Sequence, residues 1–184
     1  MSIIATDLDG TIFKGQTLID GVKEGLLKII NEGIEIYYTT NNSSQTPSEI
    51  KDKLEYLLQL NIDISKIITP LVIFQNLYSD DKLNIFIYGS ENLKKYIKNL
   101  NMNVTSLENA ELVLIGRKEE NNFSEINEII RSVSIGKNIL SLNKDLTFPT
   151  EFGEKAGNGA VVKIIEDELS INIPTLGKSG DHYS

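Results

Sequence analysis

The sequence predicts an α/β protein built on parallel sheets, and three observations lead there. Apolar runs of strand length alternate with amphipathic helical stretches along most of the chain, an order that calls for parallel strands covered by helices. The alternation comes in two series, divided by the polar stretch Tyr78-Ser79-Asp80-Asp81-Lys82, so two sheets are expected. With 184 residues, 40% hydrophobic and 24% charged, the chain can bury a core in one domain or two small ones.

The elements follow in order. Ile3-Ile4-Ala5-Thr6 reads as an apolar strand that runs through Asp7-Leu8-Asp9 into a turn at Gly10-Thr11. Val22, Leu26, Ile29 and Ile30 share one face of a helix that Gly33 can end, and Ile34 to Thr39 reads as the next strand. Thr46-Pro47-Ser48-Glu49 supplies a capping residue, a proline at the first helical position and a glutamate at the third, ahead of the stripe Ile50, Leu54, Leu57 and Leu58. The second series has strands over 85–88, 112–115 and 139–142, with helices over 91–100 and 124–134 between them. Gly157-Asn158-Gly159 is read as the start of a helix carrying Val161, Val162, Ile164 and Ile165.

Composition excludes several classes. Eighteen basic against 26 acidic residues give a formal charge of -8 and a pI near 4.8, which argues against a nucleic-acid binder. An acidic chain that handles an anionic substrate has to gather positive charge locally. There is no cysteine, so disulfides, thiol nucleophiles and Cys-based zinc sites are excluded, and the single histidine, His182, rules out a histidine cluster. No apolar run approaches the ~18 residues of a membrane span, and the first strand begins close to Met1, so a cytoplasmic protein without membrane or signal segment is expected.

The chemistry concentrates after the first strand. Side chains alternate along a strand, so Asp7 and Asp9 leave its end pointing the same way. Two unit charges about 4 Å apart repel by roughly 4 kcal/mol at an effective dielectric of about 20, which a purely structural turn has no cause to tolerate. A divalent cation or a shared proton removes the conflict, and magnesium suits carboxylate and carbonyl oxygens while leaving room for a phosphate. An Asx turn is the plainer reading of Asp-x-Asp-Gly. A calcium loop counted from Asp7 fails, because Leu18 stands where its bidentate glutamate belongs and Ile12 where its glycine belongs. Ligands of open parallel sheets sit beyond the carboxyl ends of the strands, where Thr39-Thr40-Asn41-Asn42-Ser43-Ser44 follows the second strand. Its hydroxyls, amides and backbone N–H groups could hold phosphate oxygens, and turn chemistry is again the plainer reading.

Gly177-Lys178-Ser179 is not the end of a P-loop: Asn172 stands at the first glycine and Pro174 interrupts. The ordered set formed by Asp7-Leu8-Asp9-Gly10-Thr11, Thr39 to Ser44, Asn143 to Thr150, Gly157 to Ala160 and Gly177-Lys178 resembles the haloacid dehalogenase (HAD) superfamily, specifically its NagD and p-nitrophenylphosphatase group with a C2-type cap. The resemblance implies a Rossmann-like core over 1–82, an inserted α/β cap over 83–173 and a return to the core over 174–184. It implies Asp7 as nucleophile, Asp9 as general acid/base, Thr40, Asn41 and Lys178 as phosphate-binding groups, and Asn143, Asp145 and Phe148 as cap residues over the leaving group. Mg2+ would be held by Asp7, Asp9 and Asp181. The implied activity is hydrolysis of a small phosphorylated metabolite, with a homodimer as a possible assembly.

One departure stands out. Members of the superfamily reach their Gly-Asp signature through a further helix and strand, whereas Gly180-Asp181 follows two residues after Lys178. The core is therefore read as incomplete toward its C-terminus, and Ile3 and Ile4 are expected on an uncovered sheet edge. The alternatives are a HAD-like chain that binds phosphate without turning it over and a receiver-like acidic pocket, the latter requiring an Asp at the end of a later core strand.

Overall fold

Parallel pairing governs the two larger sheets in the computed structural model, which describes residues 2–79, 82–150 and 153–180, and two short hairpins are antiparallel. The chain divides into two compact units, one holding Thr46–Thr69 and the chain up to Thr40, the other Asn41–Gln45 and the chain from Pro70 onward.

The first unit runs β1 (Ile3–Asp7), β2 (Phe13–Lys14), β3 (Thr17–Leu18), α1 (Val22–Asn31), β4 (Glu35–Thr39), α2 (Pro47–Leu58), a 3-10 turn (Ile64–Lys66) and β5 (Ile67–Ile68). Its sheet has the order β1-β4-β5, and the register sets Asp7 beside Thr39, so the ends of the first two long strands coincide. Leu8 is 1% exposed and enters a core with Ile36, Tyr38, Ile50 and Leu54, while Asp7 and Asp9 on either side of it stay exposed. The expected alternation is thus realised where the strand ends. α2 begins as its sequence requires. Thr46 Oγ1 accepts from the Glu49 N–H at 3.2 Å, and the Thr46 N–H donates to Glu49 Oε2 at 2.7 Å, a complete capping box with Pro47 at the first position.

Among the described residues β1 pairs only with β4, and Ile3 and Ile4 are 60% and 37% exposed.

The second unit runs α3 (Pro70–Tyr78), β6 (Asn84–Tyr88), α4 (Glu91–Asn99), β7 (Asn103–Val104), β8 (Leu112–Ile115), α5 (Phe123–Ser134), β9 (Asn138–Ser141), β10 (Thr147–Thr150), β11 (Gly153–Ala156) and α6 (Asn158–Leu169). Its four-stranded sheet has the order β7-β6-β8-β9, all parallel. β8 is buried throughout. Leu112 and Leu114 face a cluster with Phe74, Leu93 and Ile97, whereas Val113 and Ile115 face one with Ile126, Ile129, Val162 and Ile165. Helices therefore cover both faces, which is why this strand reads as an unbroken apolar run.

The unit division falls at Thr69–Pro70, ahead of the polar stretch singled out in the sequence, because α3 carries Leu71 and Phe74 into the second unit's core. Asp80 and Asp81 lie outside the described residues. Pro174 to Leu176 extend the second unit: the Ser141 N–H donates to the Pro174 carbonyl and the Leu176 N–H to the Ser141 carbonyl, both at 2.9 Å. No helix among the described residues is long and apolar enough to cross a membrane.

Candidate active site

In the first unit the site is built on the loop after β1. The Leu8 carbonyl accepts from the N–H groups of Ile12 (2.9 Å), Thr11 and Phe13 (both 3.2 Å), folding the chain back on itself. Gly10 takes a φ of +82°, which side-chain-bearing residues rarely adopt, and its N–H donates to the Phe13 carbonyl at 2.8 Å. This closure holds the Asp9 backbone in a bridge with Phe13.

Asp7 Oδ1 accepts from the Leu8 N–H at 2.8 Å, which fixes the carboxylate at the strand end. Thr40, 2% exposed, donates its hydroxyl to Asp9 Oδ2 at 3.2 Å. The structure thus brings Asp9 and Thr40 together and sets Asp7 on the strand beside them. A further cation belongs to this unit. Lys53 of α2 places its ammonium 3.5 Å from the centroid of the buried Phe13 ring. Burial lowers the proton affinity of that ammonium below a free lysine's, and the Asp9 carboxylate pulls the other way.

Four of the other expected site residues, Asn41, Asn143, Asp145 and Lys178, form a cluster in the second unit. Asn41 donates its amide to Asp145 Oδ1 at 3.0 Å and accepts the Lys178 N–H on its side-chain carbonyl at 2.7 Å. Asn143, 5% exposed, donates to the Asn41 carbonyl at 2.6 Å and receives the Asp145 N–H on its Oδ1 at 3.1 Å. Its own carbonyl accepts from Ser141 Oγ at 2.5 Å and Asn158 Nδ2 at 2.6 Å. Asn143 is therefore engaged as a buried joint among loops. Phe148 lies under the Arg117 guanidinium, whose central carbon is 4.3 Å from the ring centroid. Asp181 and His182 lie outside the described residues.

Residues 4–103, more than half of the chain, match the model of haloacid dehalogenase-like hydrolases. The chain belongs to the haloacid dehalogenase-like hydrolases. An acid sugar phosphatase of Staphylococcus haemolyticus is 31% identical over 163 residues, covering 86% of this chain and 61% of that relative. The chain spans under two thirds of that relative's length. The solved p-nitrophenyl phosphatase from Archaeoglobus fulgidus superposes with a TM-score of 0.85 at 22% identity, over 95% of this chain and 67% of that one. A glycerol phosphate phosphatase from Mycobacterium tuberculosis, solved in complex with magnesium, gives a TM-score of 0.79 at 23% identity, over 96% of this chain and 54% of that one. At these identities the two solved structures support the α/β fold.

For this HAD-like chain the receiver-like alternative lacks its key residue, since β4 ends on Thr39 and β5 on Ile68 with no aspartate at either end. Sequence reasoning did not single out Lys53 or Arg117. A signal for Lys53 existed, because it stands three residues after Ile50 and four before Leu57, inside the apolar stripe of α2.

Proposed function

We propose that this chain carries the catalytic carboxylates of a magnesium-dependent phosphatase of small phosphate monoesters, sugar phosphates among them, working through an aspartyl-phosphate on Asp7. The observation that carries the reading is the strand-end arrangement: two exposed carboxylates flank a buried leucine, and a buried threonine hydroxyl from the next strand's end touches the second.

The donor set suits magnesium. Asp7 and Asp9 offer hard, exposed carboxylate oxygens on either side of buried Leu8. Magnesium is commonly held by one or two carboxylates together with substrate phosphate and water. Asp7 and Asp9 would hold it, Asp181 is a proposed further ligand, and when bound the ion supplies charge neutralisation for the incoming phosphate.

An Asp7 oxygen forms a bond to phosphorus as the ester P–O bond breaks, and the Asp9 carboxyl gives its proton to the departing oxygen. Water then attacks the phosphorus of the aspartyl-phosphate, yields its proton to Asp9, and releases inorganic phosphate with Asp7 restored. Thr40, Asn41 and Lys178 are assigned to phosphate binding, the Thr40 hydroxyl turning from Asp9 Oδ2 to a phosphate oxygen when substrate is bound. Asp145 and Phe148 are assigned to selection of the leaving group, and Asn143, engaged on its amide and both its oxygens, to holding the loop that carries them.

The test is phosphate release from p-nitrophenyl phosphate and from a panel of sugar phosphates, with and without Mg2+. Turnover that requires Mg2+ and disappears in Asp7→Asn, with the melting curve preserved, is the expected result. Undiminished turnover in that variant would refute the nucleophile assignment, and phosphate binding without turnover in the parent protein would favour the non-catalytic alternative.

A further inference from the structure

We infer that Lys53 is a substrate-attracting cation of the first unit, a positioning residue for the anionic phosphate; this rests on the phosphatase reading above. Three observations converge on it. Lys53 lies on the stripe of α2 that otherwise carries Ile50, Leu54 and Leu57, so its stem is directed to the core side of the helix. Its ammonium is held 3.5 Å from the centroid of the Phe13 ring, whose own backbone closes the loop that carries Asp9. Phe13 is in turn bridged through its backbone to Asp9, so the ammonium and the carboxylate are carried by one closed loop, and that carboxylate works against the effect of burial on the lysine.

Charge balance gives the lysine its purpose. A phosphate monoester approaching Asp7 and Asp9 meets two exposed carboxylates on a chain whose formal charge is -8. A positive centre that is partly desolvated and fixed on an aromatic face attracts an anion more strongly than one waving in water. The aromatic ring also does what a carboxylate partner could not: it anchors the ammonium without cancelling its charge.

Two substitutions separate charge from packing. Lys53→Met keeps a straight apolar stem over Phe13 and removes the charge, whereas Lys53→Arg keeps the charge and can still stack on the ring. The measurements are calorimetric binding of inorganic phosphate in the presence of Mg2+ and steady-state hydrolysis of p-nitrophenyl phosphate, each at low and at high ionic strength. Lys53→Met is expected to weaken phosphate binding about fivefold to tenfold at low salt and to raise KM in parallel, with kcat within about twofold. Its affinity should also vary less with salt, and Lys53→Arg should restore both properties.

Phosphate binding by Lys53→Met within twofold of the parent protein would overturn the proposal. So would equal losses in the Met and Arg variants with preserved melting curves, since that pattern marks a packing role. If the parent protein binds inorganic phosphate but turns nothing over, the catalytic reading falls while the binding comparison still decides on Lys53. If the parent protein binds no inorganic phosphate with Mg2+ present, both fall.

Discussion

Asn41 and Asp145 are joined by a 3.0 Å hydrogen bond from amide to carboxylate, although more than a hundred positions separate them in the chain. The other end of the same amide accepts the Lys178 N–H at 2.7 Å, and the Asn41 backbone carbonyl takes the Asn143 amide at 2.6 Å. One side chain thereby ties three stretches of the second unit. Asn41→Ala should destabilise this unit by ~0.5–1.5 kcal/mol, because it removes the acceptor of the part-buried Lys178 N–H while water can replace the amide at exposed Asp145. Hydrogen exchange should show the Lys178 amide losing protection before the strands of the four-stranded sheet do, and unchanged exchange at Lys178 would contradict the tie.

Thr46 begins α2 with both halves of its capping box formed. Thr46→Ala should lower stability by about 1 kcal/mol, visible as a shift in the urea midpoint with little change in slope. Thr46→Ser should recover most of the loss.

Glu166 gives a pH-dependent contribution whose direction can be worked out. Burial, the largest influence, raises its pKa, while the Lys144 ammonium and the Ile173 N–H, both at 2.7 Å, lower it and together prevail. The folded pKa thus lies below the unfolded value near 4.5. Its stabilisation is present at pH values above that unfolded value and is lost as pH falls through the folded one. Glu166→Gln should cost ~1–2 kcal/mol near neutral pH, and the gap from the parent protein should close in melts taken at pH values decreasing below the unfolded value.

Ile3 is 60% exposed on a strand whose outer edge has no partner among the described residues. Such an edge is a template for association, and a lysine there discourages it. Ile3→Lys should slow aggregation on light scattering while the melting temperature stays within about 2 °C. Equal aggregation rates in the two proteins would show that association begins elsewhere.

Long periodic segments were legible because they obey one dominant influence. The capping box of α2, the all-apolar β8 and the stripes of α4 and α5 each fix type and approximate bounds from local residues alone. Shorter pieces were not. The β2–β3 and β10–β11 hairpins have strands of two and four residues, and β10 carries a proline, so their pairing is set by the loops they close. α3 was missed because its residues are mostly apolar with weak one-sidedness, which resembles a buried strand as much as a helix.

The carboxylate pair was legible for a different reason: charge at the end of an apolar strand conflicts with burial, and such conflicts are visible in sequence. Lys53 belongs to the same class of conflict but sits in a helix, where a lysine on an apolar stripe is easily taken for a boundary residue. The cluster around Asn41 depends on contacts between residues far apart in the chain, and no local pattern encodes which amide meets which carboxylate.

Gly159 ties two segments together. A Cβ there would collide with the Lys144 backbone carbonyl, and the Gly159 N–H donates to the Asp145 carbonyl at 3.0 Å. The first turn of α6 and the backbone of Lys144 and Asp145 therefore meet along a seam with no room for a side chain at Gly159. Under the proposed function, an insertion in this stretch would break the seam at Gly159, so altered leaving-group selectivity is expected from replacements at Asp145 or Phe148 and not from insertions beside them.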